Sequence, residues 1–260
     1  MEDREIIIRP IPQANNMKLD DDFKSLPASA YLPRPDAKIL MVGVSGSGKT
    51  TLAYSLMREF QNEGRKPYYD VVYVYSGTPD SNKAWARIKN TIVFNKFNKR
   101  RFQELLKDIE RQQKLREDAE IRPLRIFMIF DDLISSAHLM NKTGTGTGLI
   151  EGLSMTCRHF HIGYAILVQR YANTSHEVRT CNVDVLTIHK VTQHELDTIA
   201  KEHSGFILNK DQFKKLYRNI VKDNNYEFMV VDYTEADHKK RFSKGFDTQI
   251  TLKVDDEDDE

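Results

Sequence analysis

The sequence predicts an α/β fold, with a mainly parallel central sheet flanked by helices, and three observations carry that expectation. From Lys38 onward, short apolar runs rich in β-branched residues alternate with longer amphipathic segments, the pattern of strands joined by crossover helices. A glycine-rich turn, Gly43 to Gly48, links the first of these runs to a helical pattern. A later apolar run closes on two adjacent aspartates, Asp131 and Asp132, at a strand end, where ligands bind in such sheets.

Seven runs read as strands: 38–43, 70–76, 91–95, 125–131, 163–169, 183–190 and 227–233. Helical candidates lie between them at 49–62, 81–89, 99–118, 148–160, 192–203 and 210–222. Residues 1–36 are rich in proline and lack periodicity, and read as an extended N-terminal arm over the domain or over a neighbouring subunit. No repeat and no Pro/Gly/Ser linker divides the chain beyond residue 36, so 37–250 reads as one P-loop domain and 251–260 as an acidic, disordered tail.

Composition narrows the functional classes. A chain of 260 residues that is 40% hydrophobic can bury a sizeable core. No run approaches the roughly 18 apolar residues of a membrane span, and "MEDREIIIRP" is too charged for a signal peptide; no membrane partner is expected. Two cysteines, Cys157 and Cys181, are too few for a disulfide framework and suit a reducing compartment. The net charge of +1 includes the six acidic residues Asp255 to Glu260, so the body of the chain is basic.

The segment "GVSGSGKT", residues 43–50, matches G-x-x-x-x-G-K-[ST] between a strand and a helix. Glycines 43, 46 and 48 let the backbone turn tightly and aim its N–H groups at phosphate oxygens, and the helix beginning near Lys49 adds its positive end. The expected nucleotide contacts are Gly43, Ser45, Gly46, Ser47, Gly48, Lys49, Thr50 and Thr51, with Lys49 on the β and γ phosphates and the Thr50 hydroxyl on Mg²⁺. ATP and Mg²⁺ are the cofactors this implies, and the fold class becomes a P-loop NTPase.

A P-loop needs an acidic partner for the metal on a neighbouring strand. Asp131 is placed for that role and Asp132 for orienting and deprotonating the attacking water; the plainer alternative is a pair of carboxylates capping the next helix. Gln169 ends the following apolar strand, where it would touch the γ-phosphate or its water. Arg158, in "CRHFHIG", reads either as an arginine finger for an adjacent subunit or as a surface arginine. "NKTGTGTG", 141–148, is a loop by composition, and "FNKFNKRRF", 94–102, is either the solvated start of a helix or a nucleic-acid contact. Cys157, His159, His161 and Cys181 lack the spacing of a zinc site, and Trp85 reads as core.

The order of these parts resembles the FtsK/HerA-type ATPases and, more narrowly, the genome-packaging ATPases of poxviruses, other large DNA viruses and virophages. "VGVSGSGKT", "FMIFDDL", "CRHFHIGYAILVQRY" and "RTCNVDVLTIH" carry the likeness, which runs from about Lys38 to His203. It implies a RecA-like arrangement with an additional strand between the P-loop strand and the Asp131 strand, ending in Gln169 as sensor. It also implies a homo-oligomeric ring of five or six subunits driving double-stranded DNA into a preformed viral capsid, with a capsid or vertex protein as partner and the host cell's viral factory, cytoplasmic or nuclear, as location. Asp132 maps onto the catalytic carboxylate, where many members have glutamate, and Arg158 onto the finger, with Arg170 and Arg179 as competitors. The chain lacks the winged-helix domain of bacterial relatives and the nuclease domain of tailed-phage terminases.

The reading is thus a Mg²⁺-dependent ATPase that moves duplex DNA, with Lys142 and the basic cluster at 96–101 as DNA contacts made through the phosphate backbone. Its rivals are a helicase or recombination ATPase acting on single strands, a capsid-associated protein that binds nucleotide without turnover, and a nucleotide kinase.

Overall fold

The computed structural model describes residues 6–10, 32–61, 67–77, 83–131, 149–205, 208–222 and 226–252. The strands are β1 (Ile6–Pro10), β2 (Lys38–Val42), β3 (Val71–Ser76), β4 (Thr91–Phe94), β5 (Ile126–Asp131), β6 (Ile162–Val168), β7 (Val185–Ile188), β8 (Met229–Asp232), β9 (Phe242–Lys244) and β10 (Thr248–Leu252). The longer helices are α1 (Lys49–Phe60), α2 (Lys99–Asp118), α3 (Leu149–Thr156), α4 (Gln193–His203) and α5 (Lys210–Ile220). All ten strands join one sheet in the order β1-β10-β9-β8-β7-β2-β6-β5-β3-β4. From β7 to β4 neighbouring strands run parallel; β8, β9, β10 and β1 extend the sheet antiparallel.

Strands buried on both faces read as continuous apolar runs, and β2, β5, β6 and β7 are buried at every position. Alternate residues feed two cores. One face carries Leu40, Val42, Met128, Phe130, Ile166 and Ile188 against Phe102 of α2, Leu153 of α3, Ile199 of α4 and Phe213 of α5. The other carries Ile39, Met41, Ile129 and Leu167 against Ala53, Leu56, Met57 and Phe60 of α1, with Trp85 fully enclosed. β6 sits between β2 and β5, the additional strand that the resemblance implies.

All seven expected strands are present, with ends within two residues of those read from the sequence. Of the helix expected at 81–89, residues 81 and 82 lie outside the described residues, 83–85 are helical and the helix does not continue beyond Trp85; turn bonds from the amides of Arg87 and Ile88 to Ala84 and Trp85 tighten the chain, and Asn90 adopts a positive φ of 58° that ends it. The helix expected at 148–160 stops at Thr156, where the chain turns through His161 (φ 53°) to enter β6. Three strands were not legible. Ile6–Pro10 lies antiparallel along β10 as the sheet's edge, so part of the expected arm belongs to the sheet. β10 also runs into residues 251 and 252 of the expected tail, because Leu252, 2% exposed, continues the inward alternation begun by Ile250. Of the arm, residues 32–36 are turn and irregular chain leading into β2, and residues 1–5, 11–31 and 253–260 lie outside the described residues. Among the described residues no helix is long and apolar enough to cross a membrane.

The "FNKFNKRRF" segment resolves by residue type. Phe94, Phe97 and Phe102 join Phe130 around the ring of Tyr75, with centroids 4.7 to 5.6 Å away, while Lys96, Lys99, Arg100 and Arg101 are exposed. The Asn98 side chain accepts from the Arg101 amide and caps α2. Tyr75 is therefore the hub that seats α2 on β3 and β4. Truncating a buried aromatic costs about 3–5 kcal/mol, so Tyr75→Ala is expected to lower unfolding free energy by about that amount in urea titration, against little change for Arg100→Ala.

Candidate active site

The loop after β2 hangs between two strands. The Gly43 amide donates to Val168 at the end of β6 (3.1 Å), and the Val44 amide to Lys190 beyond β7 (2.8 Å). Gly46 and Gly48 take φ of 73° and 90°, a region costly for residues with a Cβ, and α1 starts at Lys49. Gly43 is required by crowding: a Cβ there would sit 2.5 Å from Ser47 Oγ and 2.7 Å from His189 Cβ. Ser45, Gly46 and Thr51 are exposed, whereas Ser47 and Lys49 are buried.

Two features fit an anionic ligand. Lys49 folds back so that its ammonium donates to the carbonyls of Gly43 (2.7 Å) and Val44 (2.9 Å), a buried cation held over a loop whose first helical turn supplies N–H groups. The Ser47 hydroxyl is buried with no hydrogen-bond partner among the described residues. Beneath the loop, the Thr50 hydroxyl donates to the two Asp131 oxygens at 3.1 and 3.2 Å. A hydroxyl and a carboxylate, both hard oxygen donors, are the chemistry that Mg²⁺ accepts from protein in nucleotide sites. Thr50 and Asp131 come together although they are 81 residues apart.

The remaining expected site residues divide. Gln169 follows β6 directly and is half-buried, on the same sheet edge as the loop, with exposed Arg170 beside it. Asp132 lies outside the described residues, as do Lys142 and the whole 141–148 loop. Arg158 precedes β6 and pairs with Asp184 Oδ1 at 3.4 Å, where the same carboxyl accepts the Lys38 amide. The seven residues of β6, roughly 20 Å of strand, separate it from this chain's own loop. Arg179 makes a two-pronged ion pair with Glu202 at 2.7 and 2.9 Å, both side chains largely buried, and also donates to Thr174. The cysteines and histidines around Cys157 do not converge, and no metal-binding cluster of His, Cys, Asp and Glu occurs among the described residues.

One supporting residue escaped the sequence reading. His189 directly follows β7, and its Nδ1 lies 2.9 Å from the Ser47 carbonyl. A carbonyl only accepts, so Nδ1 carries the proton; burial, with Lys49 nearby, pushes the His189 pKa down to about 4 despite that bond. The neutral ring then accepts the Thr187 hydroxyl at Nε2 (3.3 Å) and stacks on Phe228, 5.0 Å between centroids. Its signal was a polar residue ending the apolar strand "VDVLTIH", the same signal that marked Gln169. A second network fixes the chain just past Gln169. Glu195 accepts the Tyr171 amide (2.8 Å), and the Tyr171 hydroxyl donates to Glu202 (2.5 Å). His203 Nε2 must therefore donate to the Tyr171 oxygen (2.5 Å), leaving Nδ1 to accept from Tyr233.

The sheet order and this loop define the class: the chain has the fold of a P-loop NTPase of the RecA/FtsK type. The family is shown as well, since the model for the poxvirus A32 protein matches residues 28–257, and the chain belongs to that family. Among solved structures it resembles the genome packaging NTPase B204 of Sulfolobus turreted icosahedral virus 2 bound to AMPPCP, at 16% identity and TM-score 0.53, over 78% of this chain and 95% of that one. The DNA-packaging ATPase B204 of Sulfolobus turreted icosahedral virus matches at 15% identity and TM-score 0.54, over 86% and 100%. The pCW3 conjugation coupling protein TcpA matches at 17% identity and TM-score 0.52, over 97% and 66%. No curated protein matches significantly.

Two buried neutral histidines make stability fall with acid. His189 and His203 both have pKa values lowered to about 4, chiefly by burial, against about 6.5 in an unfolded chain. Between those values the unfolded state binds the extra protons, so unfolding free energy decreases as pH drops from about 6.5 to about 4, by on the order of 3 kcal/mol for each. Thermal melts from pH 7.5 to 4.5 are expected to show this loss, and His189→Asn to flatten the slope.

Proposed function

We propose that this chain is a Mg²⁺-dependent ATPase whose hydrolysis drives double-stranded DNA into a preformed viral capsid. The observation that carries the reading is the hydrogen bond from Thr50 to Asp131 under a P-loop, across an interposed strand. The structural neighbours support it: one is described as a genome packaging NTPase bound to an ATP analogue, another as a DNA-packaging ATPase. Membership of the poxvirus A32 protein family supports a viral setting, and on this reading the chain works in the host cell's viral factory.

On this reading Lys49 leaves the carbonyls of Gly43 and Val44 for the β and γ phosphates, and the amides of residues 46–50 donate to phosphate oxygens. Thr50 and Asp131 would hold Mg²⁺, which supplies charge neutralisation on the phosphates. Asp132 takes the proton of the attacking water, and Gln169, on a segment held by Tyr171 and Glu195, orients that water and reports the γ-phosphate. Arg158 serves the nucleotide of the adjacent subunit, which makes a ring of five or six copies the working unit. Lys142 and the exposed cations at 96–101 meet the duplex through its phosphates, and a capsid or vertex protein receives it.

Steady-state ATP hydrolysis tests this. Turnover is expected to rise with duplex DNA more than with single strands, and to fall about 100-fold or more in Lys49→Ala and Asp132→Asn. Nucleotide binding without DNA-sensitive turnover would contradict it, as would equal or greater stimulation by single strands.

A further inference from the structure

The segment that enters β8 runs beside the P-loop, and its side chains divide by position. Phe228 faces inward: it stacks on His189, which holds the Ser47 carbonyl, and meets Phe246 edge-on at 5.6 Å. Two residues earlier, Tyr226 is 67% exposed, the most open of the large apolar side chains among the described residues. It nevertheless flanks the phosphate loop, because a Cβ built on Gly48 would lie 3.1 Å from Tyr226 Cδ1 and 4.0 Å from Cε1. Phe228 thus supports the floor of the loop through His189, and Tyr226 stands at its rim beside Gly48. The segment is anchored, since Glu227 pairs with Lys244 at 2.6 Å and the Gly245 amide donates to the Phe228 carbonyl at 2.9 Å.

We infer that Tyr226 is the platform on which the base of the bound nucleotide stacks, which makes it the residue that selects a nucleotide over a bare polyphosphate and a purine over a pyrimidine. The inference rests on the proposal that ATP occupies the P-loop. Here the ring stands at Gly48, at the start of α1, where the phosphate chain is seated, so a base extending from that chain covers it. A base offers a flat π face to such a ring whatever its edge groups, and the larger purine gains more overlap. The contact therefore discriminates by ring size and not by the exocyclic groups that separate adenine from guanine. It also accounts for Gly48 beyond its backbone angle: a side chain there would press on the tyrosine.

Calorimetric binding to the full chain tests this, using ATP, CTP and inorganic tripolyphosphate, with Lys49→Ala as control. Tyr226→Ala is expected to weaken ATP by about 5- to 100-fold, the usual loss for one base stacked on an aromatic ring, while leaving tripolyphosphate unchanged and erasing the preference for ATP over CTP. Tyr226→Phe and Tyr226→Trp are expected to bind ATP as the parent does. An unchanged ratio of ATP to tripolyphosphate affinity in Tyr226→Ala, with Lys49→Ala abolishing both, would overturn the platform and leave the P-loop reading standing. ATP binding insensitive to Lys49→Ala would instead remove the P-loop reading and the platform with it. Tyr226 is exposed, so its replacement is not expected to move the thermal midpoint, and a matched melt ties any binding loss to the contact.

Discussion

The hydrogen bond between Thr50 and Asp131 is the contact on which the site depends, and the sheet has to be ordered around it. β2 and β5 are not neighbours; β6 runs between them, so their ends are separated by two strand spacings, roughly 10 Å. Leu167 of β6 is level with both Met41 and Asp131, which sets the carboxylate at the height where β2 gives way to the loop. Thr50, on the first turn of α1, crosses the end of β6 to meet it. A slip of one residue in either pairing would turn the carboxylate to the other face of the sheet. Complete burial of β2, β5 and β6 on both faces makes such a slip costly.

The same end of the sheet carries its stiffness in polar contacts. His189 ties the loop to β7 and, through Phe228, to the antiparallel extension, while Glu195, Glu202 and Arg179 of the second network brace the segment after Gln169. Buried polar groups of this kind cost free energy unless each finds a partner. Here the donors and acceptors can be assigned in sequence, from carbonyl to imidazole to hydroxyl. The reward is positional: the phosphate loop and the segment beyond Gln169 are held on either side of β2 and β6.

Legibility in the sequence tracks the range of the interactions involved. The strands of the parallel sheet and the P-loop are local patterns, an apolar run or a glycine turn between two periodicities, and they read directly. Asp131 was legible because an acid ending an apolar run is unusual and because the P-loop demands one. The place of β6 was not written in any local pattern, since periodicity does not order strands; it entered through the resemblance. β1, β9 and β10 were missed because "IIIRP" and the short runs around Gly245 are too brief to signal, and β1 pairs with a segment more than 230 residues away. The pairing of Arg179 with Glu202 had no local signal, and His189 mattered only once β7 was known to lie beside β2. The basic cluster at 96–101 divided as helix caps do, aromatics inward and cations outward.

That Thr50 and Asp131 jointly form the cation seat of the proposed nucleotide site is open to a direct test, electron paramagnetic resonance of Mn²⁺ in the presence of a non-hydrolysable ATP analogue. One immobilised Mn²⁺ for each bound nucleotide is expected in the parent chain, with its loss in both Thr50→Ala and Asp131→Ala while the fold stays intact. Immobilised Mn²⁺ that persists unchanged in either variant would contradict the shared seat.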